Sequence, residues 1–118
     1  MRYMMMVKAN SYYEAGTPPS QELMAEIGKL GAEAMKAGKL ISTGGLAPSS
    51  ASTRITLRKG RRSVVDGPFG ETKELIGGFA IFDVASKEEA LEHAHKFVDV
   101  HVKCGVTEFE MDIRPMFA

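Results

Sequence analysis

Gly78-Phe79-Ala80-Ile81-Phe82-Asp83-Val84, followed almost at once by Ser86-Lys87-Glu88-Glu89, is the stretch that decides the fold. The first run is apolar, aromatic and short, bounded by glycine, and reads as a strand. The second is a capping box, with Ser86 at the N-cap and Glu89 at the third helical position. Leu91, Ala94, Val98 and Val102 then recur at helical spacing and predict a helix with that stripe buried. Beyond it, Phe109, Met111 and Ile113 point one way while Glu108, Glu110, Asp112 and Arg114 point the other, a strand that Pro115 ends. The second half of the chain therefore reads strand, helix, strand.

Toward the N-terminus the same order recurs. Tyr3 to Ala9 is a short apolar strand. Pro18-Pro19-Ser20 interrupts the chain and supplies Ser20 as an N-cap, with Glu22 in the favoured first turn. Leu23, Ile27, Leu30 and Ala34 fall on one helical face, and Gly38 stands where a C-cap glycine belongs. Gly28 and Gly31 weaken that helix and are expected where it approaches the sheet. Leu40 to Gly44 is the second strand, closed by Gly45 and Pro48, with Ser49 to Ser52 a small polar loop. Arg54 to Arg58 and Arg62 to Val65 alternate about Lys59-Gly60-Arg61 as a hairpin. A loop from Asp66 to about Glu74 leads back to Gly78. Two strand–helix–strand halves with an inserted hairpin, in one domain spanning residues 1–118, describe an α+β ferredoxin-like sandwich.

The quoted strand is apolar on both sides, with Phe79 and Ile81 on one and Ala80, Phe82 and Val84 on the other. A sheet with helices on one face should alternate. Two apolar sides require two covers, and no third helix is expected to provide one. A second copy, sheet against sheet, is the expected cover, so the chain is expected to be a homodimer that Phe82→Glu dissociates or unfolds.

Composition narrows the function classes. The chain is 44% hydrophobic and 25% charged with a formal net charge of +0, against the basic surplus expected of a nucleic-acid binder. The basic run Arg58, Lys59, Arg61 and Arg62 reads as a solvated hairpin tip. Cys104 stands alone, so no internal disulfide forms. No apolar run reaches the ~20 residues of a membrane helix, no secretory signal is read, and the cytoplasm is the expected location.

Metal and nucleophile chemistry find little footing. His93 and His95 project about 200° apart on a helix and cannot chelate together; His95, near the Leu91 stripe, is read as a packed or hydrogen-bonded helix residue. His101-x-x-Cys104 is one pair without two further ligands. Met4, Met5 and Met6 alternate between the faces of a strand, as core and interface filling. Ser42-Thr43-Gly44-Gly45 lacks the spacing of a phosphate loop, and no Gly-x-Ser-x-Gly elbow is present. Neither a metal nor a cofactor is expected. What remains is Asp66-Gly67-Pro68-Phe69-Gly70-Glu71-Thr72-Lys73-Glu74. In one reading Asp66 is a general base or ligand contact and Lys73 holds an anionic group. In the other, Asp66 closes an Asx-type turn by accepting backbone N–H bonds, and Lys73 pairs with Glu71 or Glu74.

That same stretch resembles the signature of the DGPF branch of the YCII-related family: Asp66-Gly67-Pro68-Phe69, then Glu71-Thr72-Lys73-Glu74 and a Gly-Gly-Phe strand. Met4 to Lys8, Gly38 to Pro48, Ser86 to Ala90 and Ile113-Arg114 continue the likeness, with Asp112 where Glu is usual. The resemblance implies a ferredoxin-like protomer that pairs into a dimeric α/β barrel. Relatives carry a His–Asp pair, which implies an enzyme, and some are joined to or encoded beside alternative sigma factors. By position, Asp66 and His101 are the implied catalytic residues, although Val102 to Thr107 is longer than in relatives. Thr72, Lys73, Glu74 and Arg114 are the implied ligand contacts. The expectation is a small polar molecule bound or transformed, without cofactor, in a cavity between paired sheets. The alternative is a non-catalytic module that modulates a sigma-factor-type transcription partner.

Overall fold

The structure is a computed structural model that describes residues 1–70 and 74–117. In chain order it contains β1 (Arg2–Lys8), α1 (Ser11–Glu14), α2 (Gln21–Lys36), β2 (Leu40–Gly45), β3 (Thr53–Arg58), β4 (Arg61–Asp66), β5 (Ile76–Asp83), α3 (Lys87–Lys103) and β6 (Met111–Pro115). A 3-10 turn at Ser49–Ala51 precedes β3. The architecture is α+β, with a four-stranded sheet in the order β2-β5-β1-β6, antiparallel at every pairing, and a separate β3–β4 ribbon. The larger sheet is open, with β2 and β6 at its edges, so the chain by itself forms no closed barrel.

The predicted helix signals act as read. Ser20 Oγ accepts from Leu23 N at 3.1 Å to start α2, and Gly38 follows its end at φ 74°, where a Cβ would be penalised. Ser86 Oγ accepts from Glu89 N at 3.2 Å, and Glu89 Oε2 returns the favour to Ala85 N at 2.8 Å. Glu89 also meets Lys39 Nζ at 2.9 Å, tying the entry of β2 to the first turn of α3. Gly31 lies over Leu40 of β2, as a helix against a sheet requires, whereas Gly28 faces open space. The ribbon turns through Lys59 and Gly60, both at positive φ, the backbone twist that matches two right-handed strands.

Two features differ from the sequence reading. A short helix, α1, is nucleated by Asn10, whose Oδ1 accepts from Tyr13 N at 2.9 Å. On α3 the buried line is Ala90, Ala94 and His101, with Phe97 beside it, while Leu91 and Val102 of the expected stripe face solvent. His95 is exposed, and His93 is the packed histidine, stacked on Phe82 at a ring separation of 4.7 Å.

Register decides which residues share a face. Tyr3 pairs with Phe82, Met5 with Ala80 and Ile113, and Leu40 with Phe82. These residues form one buried cluster with Val84, Ala34 of α2, and Ala90 and Ala94 of α3, so both long helices cover the same face. Met4, Met6, Phe79 and Ile81 take the opposite parity and lie half-buried on a face that no helix covers. Phe82 thus belongs to the helix-side core, so a charge there strikes the core rather than an outer interface. Gly44 lets the Phe79 ring lie flat across β2, its nearest carbon 3.0 Å from where a Cβ would sit.

Phe82→Glu should abolish cooperative urea unfolding, because an unpaired carboxylate would enter the core. Ile81→Glu should retain a cooperative transition, because its side chain stands on the uncovered face. Circular dichroism during denaturant titration distinguishes the two.

Candidate functional site

A cleft of 610 Å³ opens between the helices and the inner face of the sheet. Leu23, Ile27 and Leu30 of α2 form one wall, and Met5, Ala80 and Phe82 form the floor. His93, Phe97 and His101, successive turns of α3, supply the far side. Tyr13 and Glu14 of α1 stand at the end nearest the loops. The cleft is of a size that receives small molecules, and its walls are apolar with few polar groups.

His101 is the most constrained of those groups. It is 6% exposed and clusters with Phe97 and Phe109, ring centroids 4.7 and 4.3 Å away. Its Nδ1 lies 2.8 Å from the Phe97 carbonyl, which only accepts, so Nδ1 carries the proton and donates. The lone pair of the neutral ring is then on Nε2. No hydrogen bond to Nε2 occurs among the described residues, yet no buried polar atom there is sealed without a partner. Nε2 therefore keeps some exposure, on a side chain that borders both the cleft and a smaller hollow of 490 Å³ lined by Tyr13, Phe109 and Glu110. His93 shares the wall, and burial, reinforced by the Lys96 charge, holds its imidazole below the ordinary histidine range.

At the loop end, the buried Ser49 organises the DGPF segment. Glu14 accepts from Ser49 N at 2.8 Å and from Ser49 Oγ at 2.6 Å, and Ser49 Oγ accepts from Phe69 N at 3.1 Å. Gly67 N donates to Ser52 O at 2.8 Å. A Cβ on Gly67 would collide with the Ser49 carbonyl, which is why glycine stands there. Phe69 carries the Arg54 guanidinium 3.9 Å above its ring. Asp66, at the end of β4, accepts from Thr53 Oγ1 at 3.1 Å. The expected Asx-type turn is not what is seen among the described residues; the carboxylate fastens the ribbon's two ends instead.

The residues expected from sequence thus divide. His101 lines the cleft and Asp66 does not; Asp66 sits at the root of the ribbon. Glu74 is exposed just before β5, and Arg114 is exposed on β6 opposite Met4, on the uncovered face of the sheet. Thr72 and Lys73, with Glu71, lie outside the described residues. Glu14, Tyr13, Ser49 and His93 were not singled out as functional. For Tyr13 and Glu14 the sequence signal was Asn10 as a helix cap, which would have placed both on one turn; Ser49 carries no such signal, and His93 is weighed in the sequence only as a metal ligand. The Cys104 thiol is pushed up by partial burial and by the Glu22 and Glu26 carboxylates, the reverse of an activated thiolate. No group of three or more potential metal-ligating His, Cys, Asp or Glu side chains converges among the described residues, and no described helix is long and apolar enough to cross a membrane.

The family model for the YCII-related domain matches residues 1–109. The chain belongs to the YCII-related family. An uncharacterized protein of Rhizobium meliloti (strain 1021) is 32% identical over 96 residues, 81% of this chain and 74% of that one. The family match takes in Asp66, His101 and the Ser49 network and ends before β6, so Arg114 falls beyond the matched segment.

Two measurements follow. Gly67→Ala should cost about 1–3 kcal/mol, the range for overpacking, because the obstructing atom is backbone and cannot rotate away; a shifted denaturation midpoint reads this. His93 should give stability a pH dependence. Near its ordinary value of 6.5 the unfolded chain takes up a proton that the folded chain resists, so stability falls as the pH drops toward the lower folded-state value. His93→Gln should flatten that part of the curve.

Proposed function

We propose that the protein is a DGPF-branch member of its family that binds, and transforms by proton transfer, a small molecule held in the cleft between α2, α3 and the sheet. The observation that carries this is His101, a buried histidine whose Nδ1 is held by the Phe97 carbonyl, whose Nε2 has no hydrogen bond among the described residues, and whose ring lines a cleft of 610 Å³. A neutral Nε2 accepts a hydrogen bond. The ligand is accordingly a molecule with an apolar body and an O–H or N–H head, a less polar class than the sequence alone implied. Proton transfer by an imidazole calls on no cofactor.

The finer architecture fits that reading. The order β2-β5-β1-β6 with both long helices on one face supports reading the protomer as a ferredoxin-like sandwich. Met4, Met6, Phe79 and Ile81 form the face through which two such sheets would pair into a dimeric α/β barrel. Its cleft would remain on the helix side of each sheet, and Arg114 would lie at the seam. Asp66, and by position Thr72, Lys73 and Glu74, then serve the loop at the cleft's outer end.

2-Naphthol and 2-methoxynaphthalene share an apolar body and differ in the donor. Fluorescence titration should find the naphthol about fivefold tighter, the worth of one neutral hydrogen bond. His101→Phe, which keeps the packing on Phe97 and Phe109, should erase the difference. Equal affinity of the two probes for the wild-type protein would remove His101 from ligand recognition.

A further inference from the structure

Beyond its root, the β3–β4 ribbon is solvent-exposed along both strands among the described residues. Ile55 and Leu57 are each 67% exposed and Val64, directly across from Ile55, is 63% exposed, so one side of the ribbon is an aliphatic stripe in water. A two-stranded ribbon with no third strand or helix beneath it is marginal in water. Six residues per strand carry it about 20 Å outward. The chain's radius of gyration, 15.9 Å, correspondingly exceeds the ~13–14 Å of a compact chain of this length. Yet the ribbon's root is firmly held. Asp66 is bonded to Thr53, Phe69 is stacked under Arg54, and the Glu14–Ser49 pair clamps the preceding turn. A ribbon fixed at its base and bare along its length is an arm placed to reach another molecule.

We infer that this arm docks on a second copy of the same chain, laying Ile55, Leu57 and Val64 against it with the basic tip at its acidic surface. Charge selects the partner. Residues 53–66 hold five of the chain's fifteen Lys and Arg but one of its fifteen Asp and Glu. The remainder is left with ten basic and fourteen acidic side chains, so arm and body carry opposite charge while the whole is neutral. A second copy therefore offers the acidic body that the arm complements, and each copy offers the same pair of surfaces, as two-fold symmetry requires. The aliphatic stripe speaks against a nucleic-acid partner, for which the contact surface is dominated by phosphate-binding cations. The uncovered sheet face at Met4, Met6, Phe79 and Ile81 is a separate surface. The arm's docking rests on its own residues, whether or not those faces also meet.

Sedimentation of the wild-type protein, the double variant Ile55→Asp/Val64→Asp, and Ile81→Glu tests this, with far-ultraviolet circular dichroism confirming that each is folded. The wild type should be a dimer. The arm variant should dissociate with a constant raised by about a hundredfold or more, since two aliphatic contacts are exchanged for charges. Wild-type dissociation should also weaken with added salt, and trypsin should cut the Arg58 to Arg62 tip faster as dilution frees it. Ile81→Glu reports the sheet face alone: loss of the dimer there leaves the arm's contribution to be read from the double variant. A monomeric wild type overturns the proposal, as does an arm variant that dimerises with wild-type affinity. So would salt-sensitive binding of duplex DNA by a monomeric wild type that Arg61→Glu/Arg62→Glu abolishes; the arm would then be a nucleic-acid contact.

Discussion

The Glu14 carboxylate on Ser49 is the interaction on which the outer half of the molecule depends. Ser49 is buried, and a buried hydroxyl and N–H without partners would each cost stability. One carboxylate accepts both, at 2.6 and 2.8 Å, in charge-assisted bonds stronger than neutral ones. The same hydroxyl is then free to accept from Phe69, while the Ser49 carbonyl leaves room for Gly67 only as glycine. Through these few atoms α1, the 3-10 turn and the DGPF segment become one rigid block. The arm springs from that block, and the cleft opens beside it. The residues that look most like chemistry in the sequence, Asp66 through Phe69, are in this sense masonry first.

The central strand imposes the second constraint. Because successive side chains alternate, β5 must offer Phe82 to one side and Phe79 with Ile81 to the other. The helices take the first side entirely. On the second, the neighbouring strands reinforce the apolar character through Met4 and Met6 but soften its rim with Lys8 paired to Asp112 at 3.1 Å. The face is thus apolar at its centre and charged along its rim.

Much of the fold was legible because its signals are local. Ser20, Ser86, Gly38 and Lys59-Gly60 each dictate a backbone geometry by their own chemistry, and all of them lie where that geometry is found. The α3 stripe was not legible for a reason of the same kind. Leu91-Ala94-Val98-Val102 and Ala90-Ala94-Phe97-His101 both fit helical spacing, and only the first is uniformly aliphatic. The second won because small Ala90 and Ala94 let the helix settle on the sheet, while Phe97 and His101 meet Phe109. A hydropathy pattern counts histidine as polar and so points to the wrong line. The pairing of Glu14 with Ser49 spans 35 residues of chain and leaves no local mark. The cleft, a relation among three elements, leaves none either.

His101 and Asp66 illustrate how a pair implied by position can separate in space. In an acid–base dyad a carboxylate holds the imidazole's tautomer and also stabilises the imidazolium that forms. Here the first task falls to the Phe97 carbonyl at 2.8 Å, and Asp66 is occupied at the ribbon root with Thr53. A carbonyl orients the ring as well as a carboxylate does but offers no full charge to the protonated form. On the proposed reading, this arrangement suits accepting a hydrogen bond, and then the proton, from an O–H or N–H that is already acidified by conjugation. On that reading the site would select among small molecules by the acidity of one donor and the shape of the apolar body behind it.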